Sequence, residues 1–256
     1  MIFQAFCTFP HSNTMTRTTK TDSMYGILIA ISIFTAWGLH LAFALTQDVF
    51  ALNPAQILVH ILLQTFLFTG LFITAHDAMH GAVCRHYRRL NHLLGIVAVC
   101  LYALFSYQKL WHKHWEHHRH VATPNEDPDF HDGEHTGFVR WYTNFLMNYI
   151  GWKQILGMAL VFNVLHHLAH VSVPTLLLFW VVPSLLSTVQ LFYFGTYLPH
   201  REPPHGYTNR HRSTTNNFNT LLSFLTCYHF GYHFEHHEFP AVPWWKLPSV
   251  HRGLRG

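Results

Sequence analysis

Histidines dominate the chemistry available to this chain. Near the C-terminus the string HFGYHFEHH brings His229, His233, His236 and His237 to helical spacing, and at about 100° per residue they share one face. The H-x-x-H-H pattern recurs as His114, His117 and His118, and a shorter relative puts His76 and His80 at i and i+4. Imidazoles stacked on one face lose hydration and repel one another when protonated, so packing alone does not account for them. Neutral imidazole is a good ligand for iron, zinc or copper. A metal that keeps open coordination positions takes three or four protein ligands. The spacing therefore predicts two metals held by His76, His80, His114, His117, His118, His233, His236 and His237. His200, in the string LPHR, is a further candidate because an apolar segment ends there on the same side. His229 is placed at the ligand face or just behind it.

Neutral ligands leave the charge of the metals uncompensated, so acids are expected to accept the second ring N–H of the ligands. Asp77, Glu116 and Glu235 lie inside the clusters, and Asp127 and Asp129 follow the second one. Each of these could equally be an ordinary surface acid beside a basic residue. His166 and His170 also form H-x-x-x-H, but at the far end of an apolar run, and are read as remote. His40 and His60 read as buried, hydrogen-bonded residues of the apolar segments. His112, His120, His131 and His135 lie near the second cluster but off its spacing. A two-metal imidazole site at a membrane face implies activation of dioxygen against an apolar substrate.

The elements that must position these ligands are apolar helices. The 256 residues are 50% hydrophobic and only 11% charged, below the roughly 25% of a soluble domain. That balance predicts an all-α integral membrane protein. Residues 1–23 are polar and read as a disordered tail, and residues 24–256 as one domain. Met24–Thr46 and the run from Pro54 to His76 are each long enough to span a bilayer. The run from Leu90 to Tyr107 is too short to cross twice and reads as a re-entrant or interfacial hairpin. Trp152–His170 and Thr175–Leu198 make a second pair of spans. All 16 Lys and Arg residues fall in the tail, the loop 77–89, the segment 108–153 or beyond Leu198. Neither turn at 47–53 or 171–174 has one, so the positive-inside rule predicts four spans. Both termini and a histidine-rich cap then face the cytoplasm. The cysteines (Cys7, Cys84, Cys100 and Cys227) show no C-x-x-C spacing and read as reduced thiols.

The clusters and their flanks resemble the membrane fatty-acid desaturase and hydroxylase superfamily and, within it, the β-carotene ketolases, the cyanobacterial members most of all. The strings that carry the resemblance are FITAHDAMHG from Phe72, YQKL from Tyr107, HxxHH from His114 and DPDFH from Asp127. They continue as QLFYFGT from Gln190, LPH from Leu198, CYHFGYHxEHHE from Cys227 and PWWxLP from Pro243. The match runs from about residue 24 to 250. The resemblance implies an oxygenase that inserts a keto group at C4 of a β-ionone ring by two hydroxylations and loss of water. β-Carotene would pass through echinenone to canthaxanthin, on the route to astaxanthin. It further implies two ferrous ions, dioxygen as co-substrate and an external electron donor of the ferredoxin and ferredoxin-reductase kind. The membrane would be a bacterial inner or thylakoid membrane. No G-x-G-x-x-G or P-loop is present, so electrons must come from a partner, and nothing points to nucleic acid. The basic residues Arg85, Arg88, Arg89, Lys109 and Lys113 could dock an acidic donor or simply meet lipid headgroups.

Other chemistries fit less well. A zinc hydrolase would need a general base within H-E-x-x-H, which is absent, and the imidazoles oversupply one zinc. A transport site would lie near the bilayer midplane. A desaturase or carotenoid hydroxylase could use the same ligands, and only the resemblance separates it from a ketolase.

Overall fold

The first helix, α1 (Lys20–Leu45), starts where Thr19 and Asp22 close on each other. The Asp22 N–H donates to Thr19 Oγ1 (3.1 Å), and the Thr19 N–H donates to the Asp22 carboxylate (2.7 Å). The cap places the helix start inside the segment expected to be irregular. The computed structural model describes residues 18–255, so the expected tail up to residue 17 lies outside the described residues. A short 3₁₀ turn over Val49–Ala51, capped by Asp48, leads to α2 (Pro54–Met79). Asn53 caps this helix reciprocally with Gln56, and Pro54 takes the first helical position, where no N–H is needed.

α2 is the central post. From Leu67 to Met79 it is buried almost throughout. It packs on α1, on α3 (Arg88–Ala103) and on the long α7 (Val173–His200). Polar side chains tie these apolar helices together. Thr69 Oγ1 meets Ser187 Oγ at 2.9 Å, and Tyr102 donates to the same serine at 3.1 Å. His40 Nε2 and His60 Nδ1 lie 3.1 Å apart and bind α1 to α2, the hydrogen bonding expected of them, although both rings are only half-buried. Gly26 lets the loop after α2 cross α1, since a Cβ there would lie 1.8 Å from the Val83 carbonyl oxygen.

Among the described residues three helices, α1, α2 and α7, are long and apolar enough to cross a membrane. Two departures from expectation concern the remaining apolar runs. α3 is one continuous helix, not a hairpin. The chain turns after it, at Leu104 (φ +55°), and bends by 101° into α4 (Tyr107–Arg119). The expected third span is α6 (Trp152–His167), whose 16 residues reach only about 24 Å. It meets the length and apolarity test only together with α5 (Phe138–Tyr149), across an 86° bend. The described helices therefore offer three to five crossings, according to how the two bent pairs are read.

α7 is not uniformly α-helical. Wider π turns occupy Leu177–Val181 and Tyr193–Tyr197. The C-terminal segment comprises α8 (Thr220–Cys227), α9 (His233–Glu238), a 3₁₀ turn over Trp244–Lys246 and α10 (Leu247–Arg255). It is fastened to the end of α2 by the Trp244 N–H, which donates to Asp77 at 2.9 Å. Lys246 Nζ reaches Asp22 at 2.6 Å, at the start of α1.

Candidate metal centre

The last turn of α2 supplies His76, and His80 is its cap residue. α4 supplies His114, His117 and His118, the end of α7 supplies His200, and α9 supplies His233, His236 and His237. These sort into two groups. His76, His80, His114 and His236 have ring nitrogens all within 4.8 Å of one another, and so do His117, His200, His233 and His237. His118 stands between the groups, its Nε2 3.2 Å from His114 and 3.1 Å from His236, with its ring 4.3 Å from that of His237. Every first-rank ligand expected from the sequence is thus brought into one centre.

The donor set fits metal ions. The Nδ1–H of His117 donates to Asp127 (2.9 Å) and that of His200 to the Arg212 carbonyl (3.0 Å). Each ring, when neutral, therefore turns an Nε2 lone pair inward. With no metal present burial opposes protonation of His117, but the Asp127 and Asp129 charges outweigh it and raise that imidazole to about 9, so a proton takes the place a cation would fill. There His200 meets His233 at 2.8 Å, His233 meets His237 at 3.0 Å and His237 meets His117 at 3.2 Å, all through Nε2. A cation shared among these four Nε2 atoms would hold them at such distances. With metal–nitrogen bonds of about 2.1 Å, ligands at right angles stand about 3.0 Å apart. His76 Nε2 is buried with no hydrogen-bond partner, as expected of a donor atom reserved for a metal. Burial first, and mutual repulsion second, hold His233, His236 and His237 well below the ordinary imidazole value of 6.5, so they are neutral and ligand-competent at pH 7.

The acids divide. Asp127 is buried and accepts His117 Nδ1–H, the Ala122 N–H (2.8 Å) and the Asp129 N–H (2.8 Å). Burial opposes its ionisation, but the adjoining His117 holds its carboxyl below 3.8. Asp129 lies 3.8 Å from His117 and accepts from Tyr149, and burial pushes its carboxyl up to about 6. Asp77 stands 3.4 Å from His76 Nδ1. Glu116 is exposed, outside the hydrogen bonds around the imidazoles. Glu235 is buried but serves Thr215 and His251, each at 2.5 Å, and not a ligand. His80, His233 and His237 have Nδ1 atoms without a hydrogen-bond partner, so acids do not back every ligand.

His229 is displaced from the expected ligand face because α9 begins only at His233. It lies in a left-handed turn (φ +62°), packed against Trp244 and 3.3 Å from Ser223 Oγ. His131 is wedged between Phe130 and Trp141, and His166 closes the turn to α7 through the Val171 carbonyl. Neither joins a cluster. Sequence reasoning missed Tyr149, His251 and the Arg212 carbonyl, whose contacts join segments distant in sequence.

A cavity of about 1130 Å³, including its open mouth, reaches both groups at His76, His114, His117 and His233. Its walls are largely apolar, among them Phe72, Phe105, Leu110, Phe145, Leu191 and Phe230. At the mouth lie Leu185 and Ile150, 55% and 36% exposed, on the outer flank of α7 and at the α5–α6 bend. The cavity therefore reaches the surface beside an apolar helix. Gly195 shapes its inner wall, since a Cβ there would come 2.3 Å from the Phe230 ring.

The family model for fatty acid desaturases matches residues 51–163 and 150–256. The chain belongs to the fatty acid desaturase family. It is 41% identical over 243 residues to a zeaxanthin 4-ketolase of Chlamydomonas reinhardtii, a match covering 90% of this chain and 54% of that protein. A β-carotene ketolase of Haematococcus lacustris is 44% identical over 192 residues, covering 73% and 59%. A β-carotene ketolase of a Paracoccus species is 41% identical over 226 residues, covering 88% of this chain and 91% of the relative. The chain thus spans little more than half the length of the algal relatives it matches and nearly all of the bacterial one.

Proposed function

We propose that the chain is a β-carotene 4-ketolase, oxidising C4 of β-ionone rings from β-carotene through echinenone to canthaxanthin. The observation that carries the reading is the union of two four-imidazole groups with an apolar cavity, in a chain about 40% identical to proteins named for this activity. The relative named a zeaxanthin 4-ketolase supports acceptance of hydroxylated rings as well. The metals are two ferrous ions, held by His76, His80, His114 and His236 and by His117, His200, His233 and His237, with His118 between. When bound they supply the activation of dioxygen needed to break a strong C–H bond.

The chain's own residues perform the rest. Asp127 fixes the tautomer of His117, and the Arg212 carbonyl that of His200, so that both keep Nε2 free for a metal. The Phe and Leu walls exclude water and orient the ring, and the mouth beside α7 admits a hydrocarbon directly from a bilayer. The long apolar helices make the protein multi-pass, with the site and both termini on the cytoplasmic face. Residues 24–256 work as one oxygenase domain. Electrons arrive from an external carrier such as ferredoxin with its reductase. Arg85, Arg88 and Arg89, all exposed, form the docking face we favour, because Lys109 and Lys113 are engaged with Tyr149.

Expression in a β-carotene-producing bacterium, with pigments read by chromatography and mass spectrometry, tests the proposal. Echinenone and canthaxanthin are expected. Hydroxylated products without ketones would move the chain to the hydroxylases on the same scaffold. Unchanged pigments from a folded, iron-loaded protein supplied with reductant would overturn the carotenoid reading.

A further inference from the structure

The cavity is apolar except for a few groups, and the pair Tyr149 and Asp129 stands out among them because it adjoins a ligand. Tyr149 ends α5 and is held from several sides. Its carbonyl accepts from Lys109 Nζ at 3.3 Å, and Lys113 Nζ lies 5.6 Å from the centre of its ring. Its hydroxyl donates to Asp129 Oδ1, whose partner oxygen is 3.8 Å from His117. A β-ionone ring carries no heteroatom, so this polar pair does nothing for the binding of unoxidised substrate. With its O–H directed to Asp129, the phenol oxygen keeps acceptor lone pairs.

Ketone formation passes through an alcohol. In the first step a C4–H becomes C4–OH, consuming dioxygen, two electrons from the one-electron carrier protein and two protons, and releasing one water. The second step repeats this at the same carbon. One C–O bond of the resulting diol then breaks, its oxygen leaves as water with the proton of the other hydroxyl, and the C=O bond forms without further redox change. An enzyme that loses the alcohol between steps releases hydroxylated pigment in place of ketone.

We propose that the Tyr149 hydroxyl, oriented by Asp129, accepts a hydrogen bond from the C4 hydroxyl of the once-oxidised ring and retains it for the second oxidation. Tyr149 is thereby the residue that sets the ratio of ketone to alcohol. This rests on the ketolase reading and adds to it a contact made only after the first oxidation. One neutral hydrogen bond alters relative occupancy by about threefold to tenfold.

The test compares wild type with Tyr149→Phe in two ways. Under limiting turnover, the ratio of 4-hydroxy to 4-keto product should rise by about threefold to tenfold. In iron-loaded protein in detergent, kept without dioxygen so that no turnover occurs, affinity for 4-hydroxy-β-carotene should fall by a similar factor relative to affinity for β-carotene. An unchanged product ratio, or equal weakening of both ligands, would assign Tyr149 a purely structural role and overturn the proposal. If the variant does not fold, the wild-type protein still decides. Preference for the alcohol over the hydrocarbon supports the contact, and equal affinity overturns it. A wild-type protein that makes no ketone at all would instead defeat the ketolase reading, which the pigment analysis detects separately.

Discussion

Replacing Asp127 by Asn is the sharpest perturbation of the centre that leaves every expected metal ligand in place. The carboxylate accepts the Ala122 N–H on one oxygen and the Asp129 N–H on the other, each at 2.8 Å, and shares His117 Nδ1–H between both at 2.9 and 3.0 Å. An amide has only one oxygen. Whichever way the new side-chain amide turned, its NH₂ would face a backbone N–H, leaving a buried donor unsatisfied at a cost of about 1–3 kcal/mol. The bond to His117 would also lose its charge assistance, which roughly doubles the strength of such bonds. Outer partners of metal-binding imidazoles typically contribute about 10- to 100-fold in affinity, or about 1.4–2.7 kcal/mol, which agrees with the structural figure. Asp127→Asn should therefore bind ferrous iron about 10- to 100-fold more weakly. It should also melt below wild type, while Glu134→Gln, altering an exposed acid a little further along the chain, should do neither. Anaerobic iron titration and thermal melts of the three proteins measure this. Wild-type affinity in Asp127→Asn would refute the claim that Asp127 holds the His117 tautomer.

Four other outcomes are expected. His200→Ala removes a buried member of the second group and should lower iron content by one ion per chain, with a loss of turnover exceeding the roughly 10- to 100-fold typical of outer partners; elemental analysis and pigment assays check it. His166→Ala removes the bond to the Val171 carbonyl and a ring contact with His167, and should leave ketone production within about twofold, at a stability cost of about 1 kcal/mol. Gly195→Ala drives a methyl into the Phe230 ring, which packs on His76 and His233, and should destabilise by about 1–3 kcal/mol and cut turnover, as read by melting and product yield. The metal-free protein should lose stability as pH falls below 6.5, because His233, His236 and His237 bind protons there when unfolded but stay neutral when folded. A melting temperature flat from about pH 7.5 to about pH 5.5 would contradict that burial.

The ligands were legible because helical spacing is local. His76 with His80, and the two H-x-x-H-H strings, present their imidazoles on one face wherever the helices lie. Their partition was not legible. Adjacent His117 and His118, and adjacent His236 and His237, take different places, a matter of how α4 and α9 cross and not of spacing. His229 misled because its helical phase is extrapolated back from His233, where α9 has not begun, and Tyr228 and His229 are themselves left-handed. Glu116 and Glu235 sit inside the clusters in sequence, yet their helical phase aims them away from the metals. Asp127 was legible as a type and not as a contact, since only the loop over Val121–Asp129 returns it to His117. The long apolar helices α1, α2 and α7 followed from uninterrupted apolarity. The bends after α3 and α5 did not, because they depend on single residues, such as Leu104, whose left-handed conformation no local pattern announces.

Elemental analysis of anaerobically reconstituted protein tests the central claim most directly. Two irons per chain, dropping when either His76 or His200 is replaced by Ala, is the result this centre requires. One metal per chain, or tight zinc with no second site, would contradict it.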